Sequence, residues 1–308
     1  MKIVVTGGAG FIGSHLVDAF IAAGHEVFVI DDLSSGNKAN LNPKAKLYSM
    51  DLLDPKIPAL IAEIRPDALN HHAAQMDVRR SVADPMFDAR VNILGFINLL
   101  EAGKQSGLKK VIFASSGGAI YGEQEKFPAP EDHPKRPASP YGVSKLTGEN
   151  YLAYYHATFH IPYVALRYAN VYGPRQNFKG EAGVIAIFID QLLFGKTPMI
   201  HGDGKQTRDF VYVGDVAAAN LTALDTPYVG GINIGTGVET DLVTLYDKIC
   251  RQMGSKVAAI HGPAKDGEQR RSSLDCSHAR KILNWSPKIS LDEGLGRTVA
   301  YYRKVRPA

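Results

Sequence analysis

Thr6-Gly7-Gly8-Ala9-Gly10-Phe11-Ile12-Gly13 follows a short apolar run at residues 3–5 and opens an amphipathic stretch at 11–23. It holds Gly8-x-Gly10-x-x-Gly13 and the wider Gly7-x-x-Gly10-x-x-Gly13. Glycines permit a tight strand-to-helix turn whose backbone N–H groups can approach a pyrophosphate, and the following helix N-terminus favours its negative charge. A second apolar run, 27–30, ends at Asp31. A carboxylate at that point accepts hydrogen bonds from adenosine ribose hydroxyls and, with Asp32 beside it, repels a 2′-phosphate, so NAD is expected rather than NADP. The expected cofactor set from this region is Gly7, Gly10, Phe11, Ile12, Gly13, Asp31, Asp32, Ser35 and Gly36.

Outward from the glycine loop, apolar runs at 3–5, 27–30, 68–71, 111–114 and 163–168 alternate with helical patterns at 11–23, 57–64, 87–105 and 141–160. That alternation predicts an α/β fold: a Rossmann-type, doubly wound parallel sheet with right-handed crossovers. Asp51 and Leu52 after the third strand, and Ala73, Ala74 and Gln75 after the fourth, fall at carboxyl ends of strands and are expected to line adenine and ribose. Beyond Tyr168 the rhythm gives way to polar, Gly- and Pro-containing loops with helical patterns near 184–194, 215–224, 242–253 and 291–303. The expected division is a dinucleotide-binding domain at 1–168 and a smaller substrate lobe at 169–308, with part of 211–240 packing back on the first domain.

The 308 residues are 45% apolar, 21% charged and carry a formal charge of +4, which suits a compact protein with a sizeable core. No basic run exceeds a pair such as Arg79-Arg80, so a nucleic-acid partner is not expected, whereas a small anionic substrate is. The two cysteines, Cys250 and Cys276, lack metal or redox spacing and point to a reducing compartment, the cytoplasm. The N-terminal apolar run stops at Gly7 and the stretch at 184–194 is interrupted by Asp190 and Gln191, so neither secretion nor membrane insertion is expected. His71-His72 has no ligand partner at metal spacing and reads as strand-end packing; no metal is expected. Trp285 reads as core.

Tyr141-Gly-Val-Ser-Lys145 puts a phenol and an ammonium one turn apart on a helix. A lysine there can hold the nicotinamide ribose while its charge makes the phenol a usable general base. Two elements earlier, 111–116 ends in Ser115 and Ser116, either of which could orient a substrate alcohol or instead cap a turn.

These motifs, together with Ser-Ser-Gly-Gly-Ala-Ile-Tyr-Gly at 115–122, Leu-Arg-Tyr-Ala-Asn-Val-Tyr-Gly-Pro-Arg-Gln at 166–176 and Thr-Arg-Asp-Phe-Val-Tyr-Val at 207–213, resemble the nucleotide-sugar epimerase/dehydratase family of extended short-chain dehydrogenases/reductases. The likeness covers nearly the whole chain and is greatest to UDP-glucose 4-epimerases of the short bacterial and archaeal type. It implies reversible 4-epimerisation of a UDP-hexose by transient oxidation at C4 with tightly bound NAD, in a homodimer joined by a helix bundle. It implies Tyr141 as base, Ser116 as the assisting hydroxyl, Lys145 as the cofactor lysine and Tyr168 beside nicotinamide. It further implies Asn170 and Arg208 as diphosphate donors, Glu268 on the uridine ribose, and Val184, His201, Lys265 and Ser272 around the substrate. Lys265 stands where an arginine is common and His201 where an aromatic ring is common. The extra glycine in Gly117-Gly118 leaves Ser115 as an alternative to Ser116.

Related dehydratases and decarboxylases carry acidic side chains where this chain has Gly117, Gly118 and Ala119, which favours plain epimerisation. A UDP-glucuronate 4-epimerase is the nearest alternative, and an NAD-binding sensor without catalysis is the alternative from another class. Ser272 falls where a bulky tyrosine would restrict the sugar 2-substituent. Its small size implies acceptance of 2-acetamido sugars unless Arg271 or Lys265 fills the gap.

Overall fold

The computed structural model describes residues 1–178, 183–264 and 269–305. Its strands are β1 (Lys2–Thr6), β2 (Glu26–Asp31), β3 (Lys46–Ser49), β4 (Ala68–His71), β5 (Lys110–Ser116), β6 (Tyr163–Tyr168), β7 (Asn170–Tyr172), β8 (Met199–His201), β9 (Thr207–Tyr212), β10 (Gly230–Ile234), β11 (Glu239–Asp241) and β12 (Ile260–Gly262). The helices are α1 (Phe11–Ala22), α2 (Ile57–Ile64), α3 (Val78–Ala83), α4 (Pro85–Ala89), α5 (Gly95–Gln105), α6 (Gly117–Ile120), α7 (Pro140–Phe159), α8 (Val184–Leu193), α9 (Val213–Asp225), α10 (Leu242–Met253), α11 (Ser277–Leu283) and α12 (Leu291–Val305).

The central sheet has seven strands in the order β10-β6-β5-β4-β1-β2-β3, with every pairing parallel. Both faces are covered, which is why β4 and most of β5 read as unbroken buried runs instead of alternating ones. One core layer joins the sheet to α1, α9 and α11; the other joins it to α2, α5 and α7. The seventh strand, β10, is drawn from the second half of the chain, and α9 packs on α1. A third core under β7–β9, α8, α10 and α12 forms the smaller lobe. Trp285 is buried instead in the layer with α1, α9 and α11 and donates from Nε1 to the Asp215 carbonyl at 2.9 Å.

The single helix expected at 87–105 arrives as three pieces: α4, a π turn at Arg90–Leu94, and α5. The wide turn swings Asn92 inward, where its amide donates to the Gln75 carbonyl and its Oδ1 accepts from Gln75 N–H. No helix among the described residues is long and apolar enough to cross a membrane.

Candidate active site

The carboxyl ends of β1, β2, β4, β5 and β6 converge above the sheet, where open α/β folds bind ligands. At Gly7 the backbone takes φ +69°, and a Cβ would lie 2.6 Å from Ala73 N. At Gly13 a Cβ would lie 2.1 Å from the Gly7 carbonyl oxygen. Only glycine lets the loop lie this close to its neighbours. Helix α1 then begins after Gly10, whose place as N-cap supplies no side-chain acceptor, so the first N–H groups are left for an anion. Phe11 and Ile12 are half-buried in that first turn.

Asp31 is buried at the end of β2 and accepts from Ala9 N–H and Leu33 N–H, both at 2.9 Å. Burial pushes its carboxyl up, against the pull of those two donors. Asp32 is exposed and turns its carboxylate onto Ser34. Ser35 is exposed and Gly36 half-buried in the same turn. Asp51 is exposed and accepts from Leu53 N–H, while Leu52 is buried against Gly95. Ala73 and Ala74 are half-buried beside the glycine loop, but Gln75 turns its side chain inward onto Asp77 and Asp88.

Ser139 caps α7 by accepting from Gly142 N–H, with Pro140 in the first turn. That start fixes Tyr141 and Lys145 over the ends of β5 and β6. Ser116 stands beside the Tyr141 phenol and favours its ionised form, and Lys145 donates from Nζ to the Ala114 carbonyl at 2.8 Å. Lys145 Nζ stands 5.8 Å from the Tyr141 ring centre. Burial, then the charge of Asp88, pushes the Tyr141 phenol up to about 12, opposed by the neighbouring Ser116 hydroxyl. Burial lowers Lys145 to about 8, opposed by Asp88. Ser115 does not share the site: its hydroxyl donates to Glu149 Oε1 at 2.7 Å, inside a buried pair of Glu149 with Arg167. Of the two serines, Ser116 is the one beside the phenol.

Tyr168 is the register partner of Ser116 on β6, and its hydroxyl lies between His72 Nε2 at 2.9 Å and Asn220 Nδ2 at 2.7 Å. Gly117 has no room for a side chain, since a Cβ would lie 2.6 Å from Leu274 Cδ1. Gly118 is open, its nearest neighbour being Ser272 Oγ at 3.6 Å from a built Cβ. Ser272 is thus buried directly across from the end of β5. Arg271, the rival for that space, is held elsewhere, bound to Glu239 and stacked 3.9 Å from the Phe127 ring centre. Asn170 is exposed at the start of β7, Val184 is half-buried at the start of α8, and His201 ends β8 with Nδ1 3.2 Å from the Pro263 carbonyl oxygen. Arg208 is half-buried on β9 and donates to the Thr207 carbonyl. Lys265 and Glu268 lie outside the described residues.

Sequence reasoning missed Asp88, which is fully buried behind α7 and accepts from Ser144 Oγ at 2.6 Å. Its only signal was a charge on an otherwise apolar stretch. Among the described residues no three His, Cys, Asp or Glu side chains group as metal ligands would. His71 instead bonds Thr6 Oγ1 at 2.8 Å and stacks on Phe96 and Phe113.

Residues 3–235 match the model of the NAD dependent epimerase/dehydratase family. A UDP-glucose 4-epimerase of Mycolicibacterium smegmatis is 45% identical over 310 residues, covering 98% of this chain and 99% of that protein. The crystal structure of a Thermotoga maritima UDP-glucose 4-epimerase with UDP-glucose superposes with a TM-score of 0.97 at 46% identity, covering 99% of both chains. A UDP-N-acetylglucosamine 4-epimerase of Methanobrevibacter ruminantium superposes with a TM-score of 0.94 at 37% identity, covering 99% of this chain and 98% of that one. A glycine-rich turn before an uncapped helix, a buried acid ending β2 and a Ser116–Tyr141–Lys145 cluster, matched across nearly the whole chain, place it in the NAD-dependent epimerase/dehydratase family.

Proposed function

We propose that the chain interconverts the C4 epimers of a UDP-hexose, UDP-glucose with UDP-galactose and the 2-acetamido forms with each other. The observation that carries this reading is the placement of the Tyr141 phenol beside Ser116 and Lys145, next to Gly117, Gly118 and Ala119, where no side chain could protonate a leaving hydroxyl. The glycine cradle, the uncapped α1 and Asp31 fit NAD, and Lys145 would hold its nicotinamide ribose. When bound, NAD supplies the hydride acceptor and later the hydride donor at C4.

Tyr141 takes the proton of the sugar 4-hydroxyl through or beside Ser116, and the same phenol returns it when the ketose is reduced on its other face. Lys145 steadies the phenolate by charge. Asn170 and Arg208 are the diphosphate donors in this reading, Glu268 and Lys265 complete the nucleotide contacts, and Val184 and His201 border the uridine. Residues 169–308 serve chiefly as the substrate lobe. The exposed apolar face of α3, α4 and α7 supports a homodimer, and the free thiols Cys250 and Cys276 suit the cytoplasm.

The test is turnover in buffer without added nucleotide. The wild type should convert UDP-galactose, with NAD found by mass spectrometry in the denatured supernatant. Tyr141→Phe should lower kcat roughly 10²–10⁴-fold with UDP-sugar binding retained. Near-normal kcat in that variant, or turnover confined to UDP-glucuronate, would overturn the reading.

A further inference from the structure

Asp88, on α4, is fully buried, and among the described residues it is the carboxylate whose charge raises both Tyr141 and Lys145. One carboxylate oxygen accepts from Gln75 Nε2 at 3.1 Å and Asn92 Nδ2 at 3.0 Å, and the other accepts from Ser144 Oγ at 2.6 Å. The three donors come from the loop after β4, the π turn and α7. The first follows the strand that borders the cofactor cradle, and the last sits one residue before Lys145. Burying a carboxylate is costly unless donors surround it, and two amide N–H groups and a hydroxyl do so here.

We propose that Asp88 is a positioning residue of the active site, a buried negative charge that locks α7 to the loop after β4 and stands behind Tyr141 and Lys145. The proposal rests on the epimerisation reading. In that reaction one phenol must both take the sugar proton and give it back, so neither protonation state can be too stable. Lys145 alone would favour the phenolate. A carboxylate behind the pair opposes it, keeping the phenol able to return its proton, and helps keep Lys145 charged. The charged and titratable groups on the elements around Asp88 are Asp77 and Asp84 at the starts of α3 and α4, Arg79 and Arg80 on α3, Arg90 on the π turn, and Tyr141 and Lys145 on α7, with Glu149, Tyr151, Tyr154, Tyr155 and His156 farther along that helix and His71 and His72 at the end of β4 near Lys145. Arg80 lies over the Phe87 ring, 4.0 Å from its centre.

The experiment uses the NAD-loaded enzyme labelled with [¹³Cζ]tyrosine, with the Tyr141 resonance assigned by its loss in Tyr141→Phe. In Asp88→Asn, which keeps the shape and removes the charge, the Tyr141 phenol should ionise about half a pH unit or more below the wild type. With UDP-glucose, kcat should fall about tenfold while KM stays within about twofold. An unmoved Tyr141 midpoint in folded Asp88→Asn overturns the proposal. Ser144→Ala removes one tether and leaves the carboxylate, so it should lower kcat severalfold. If Asp88→Asn does not fold, wild-type kcat in Ser144→Ala overturns the proposal instead. Because the phenol titration requires no turnover, a wild type inactive on every UDP-sugar would sink the reaction reading and still leave the effect of Asp88 on Tyr141 measurable.

Discussion

Ser115 and Ser116 are neighbours on β5, but they meet different parts of α7. Tyr141, Lys145 and Glu149 follow one another at intervals of four along one stripe of that helix, so Tyr141 and Glu149 lie about 12 Å apart along its axis. Ser116 reaches the first and Ser115 the last. Nothing in the serine segment itself could decide between them, because the choice depends on Glu149 and Arg167, which arrive far downstream. Ser116→Ala should therefore lower kcat about 10- to 100-fold with little change in thermal midpoint. Ser115→Ala should retain kcat and lose about 1–3 kcal/mol of stability, since a buried carboxylate loses a donor. Paired kinetics and denaturant titrations check this, and the opposite pattern would reverse the assignment. At Ser272 the open space toward Gly118 leads to a matching expectation for specificity. Ser272→Tyr should reduce kcat/KM for UDP-N-acetylgalactosamine about tenfold or more relative to UDP-galactose. An unchanged ratio in that variant, or a wild type that ignores the acetamido sugar, would mean the gate does not operate.

The β1–α1 turn and the parallel strands were legible from spacing, and α7 from the uninterrupted helical run at 141–160, although its apolar residues keep no single face. The π turn was not, because its cause is Asn92 bonding to Gln75 across the fold, a contact no local pattern encodes. The end of β4 was legible only in part. His71 and His72 do pack at a strand end, but their partners Thr6 and Tyr168 belong to other strands. Burial, then the charge of Lys145, holds His72 neutral down to about 3 and drives His71 well below its ordinary value. In the unfolded chain both bind a proton near pH 6.5, so below that value the unfolded state holds more protons than the folded one and stability falls as pH falls. His72 should withdraw about 2 kcal/mol between pH 7 and pH 5, and His71 acts in the same direction. Denaturant midpoints across that range should drop in the wild type and drop less in His72→Leu. Equal slopes would show that His72 is not held neutral.

Over the whole molecule, the apolar stripe visible in the sequence at Met86, Phe87, Val91 and Leu94, with Tyr151, Tyr154 and Tyr155, divides between core and surface. Tyr155 is buried with its hydroxyl on Glu101 Oε1 at 2.5 Å, whereas Met86 is 83% exposed, Val82 63%, Leu94 53% and Tyr154 52%. These side chains belong to α3, α4, the π turn and α7, which pack against one another. Scattered apolar residues are ordinary, but several exposed on helices that pack together suit a subunit interface, where a stable dimer covers about 800 Å² per partner. Period alone could not tell which members of the stripe face outward, because α7 is apolar on more than one side. If this face joins two copies across a two-fold axis, each substitution acts twice. Sedimentation equilibrium of the wild type should then give twice the 33.4 kDa chain mass. The double variant Met86→Glu with Leu94→Arg should then sediment as the single chain and lose thermal stability, since Asp88 and the π turn lie beneath these side chains. A wild type that sediments as a single chain at micromolar concentration, or a double variant that stays paired, would place the contact elsewhere.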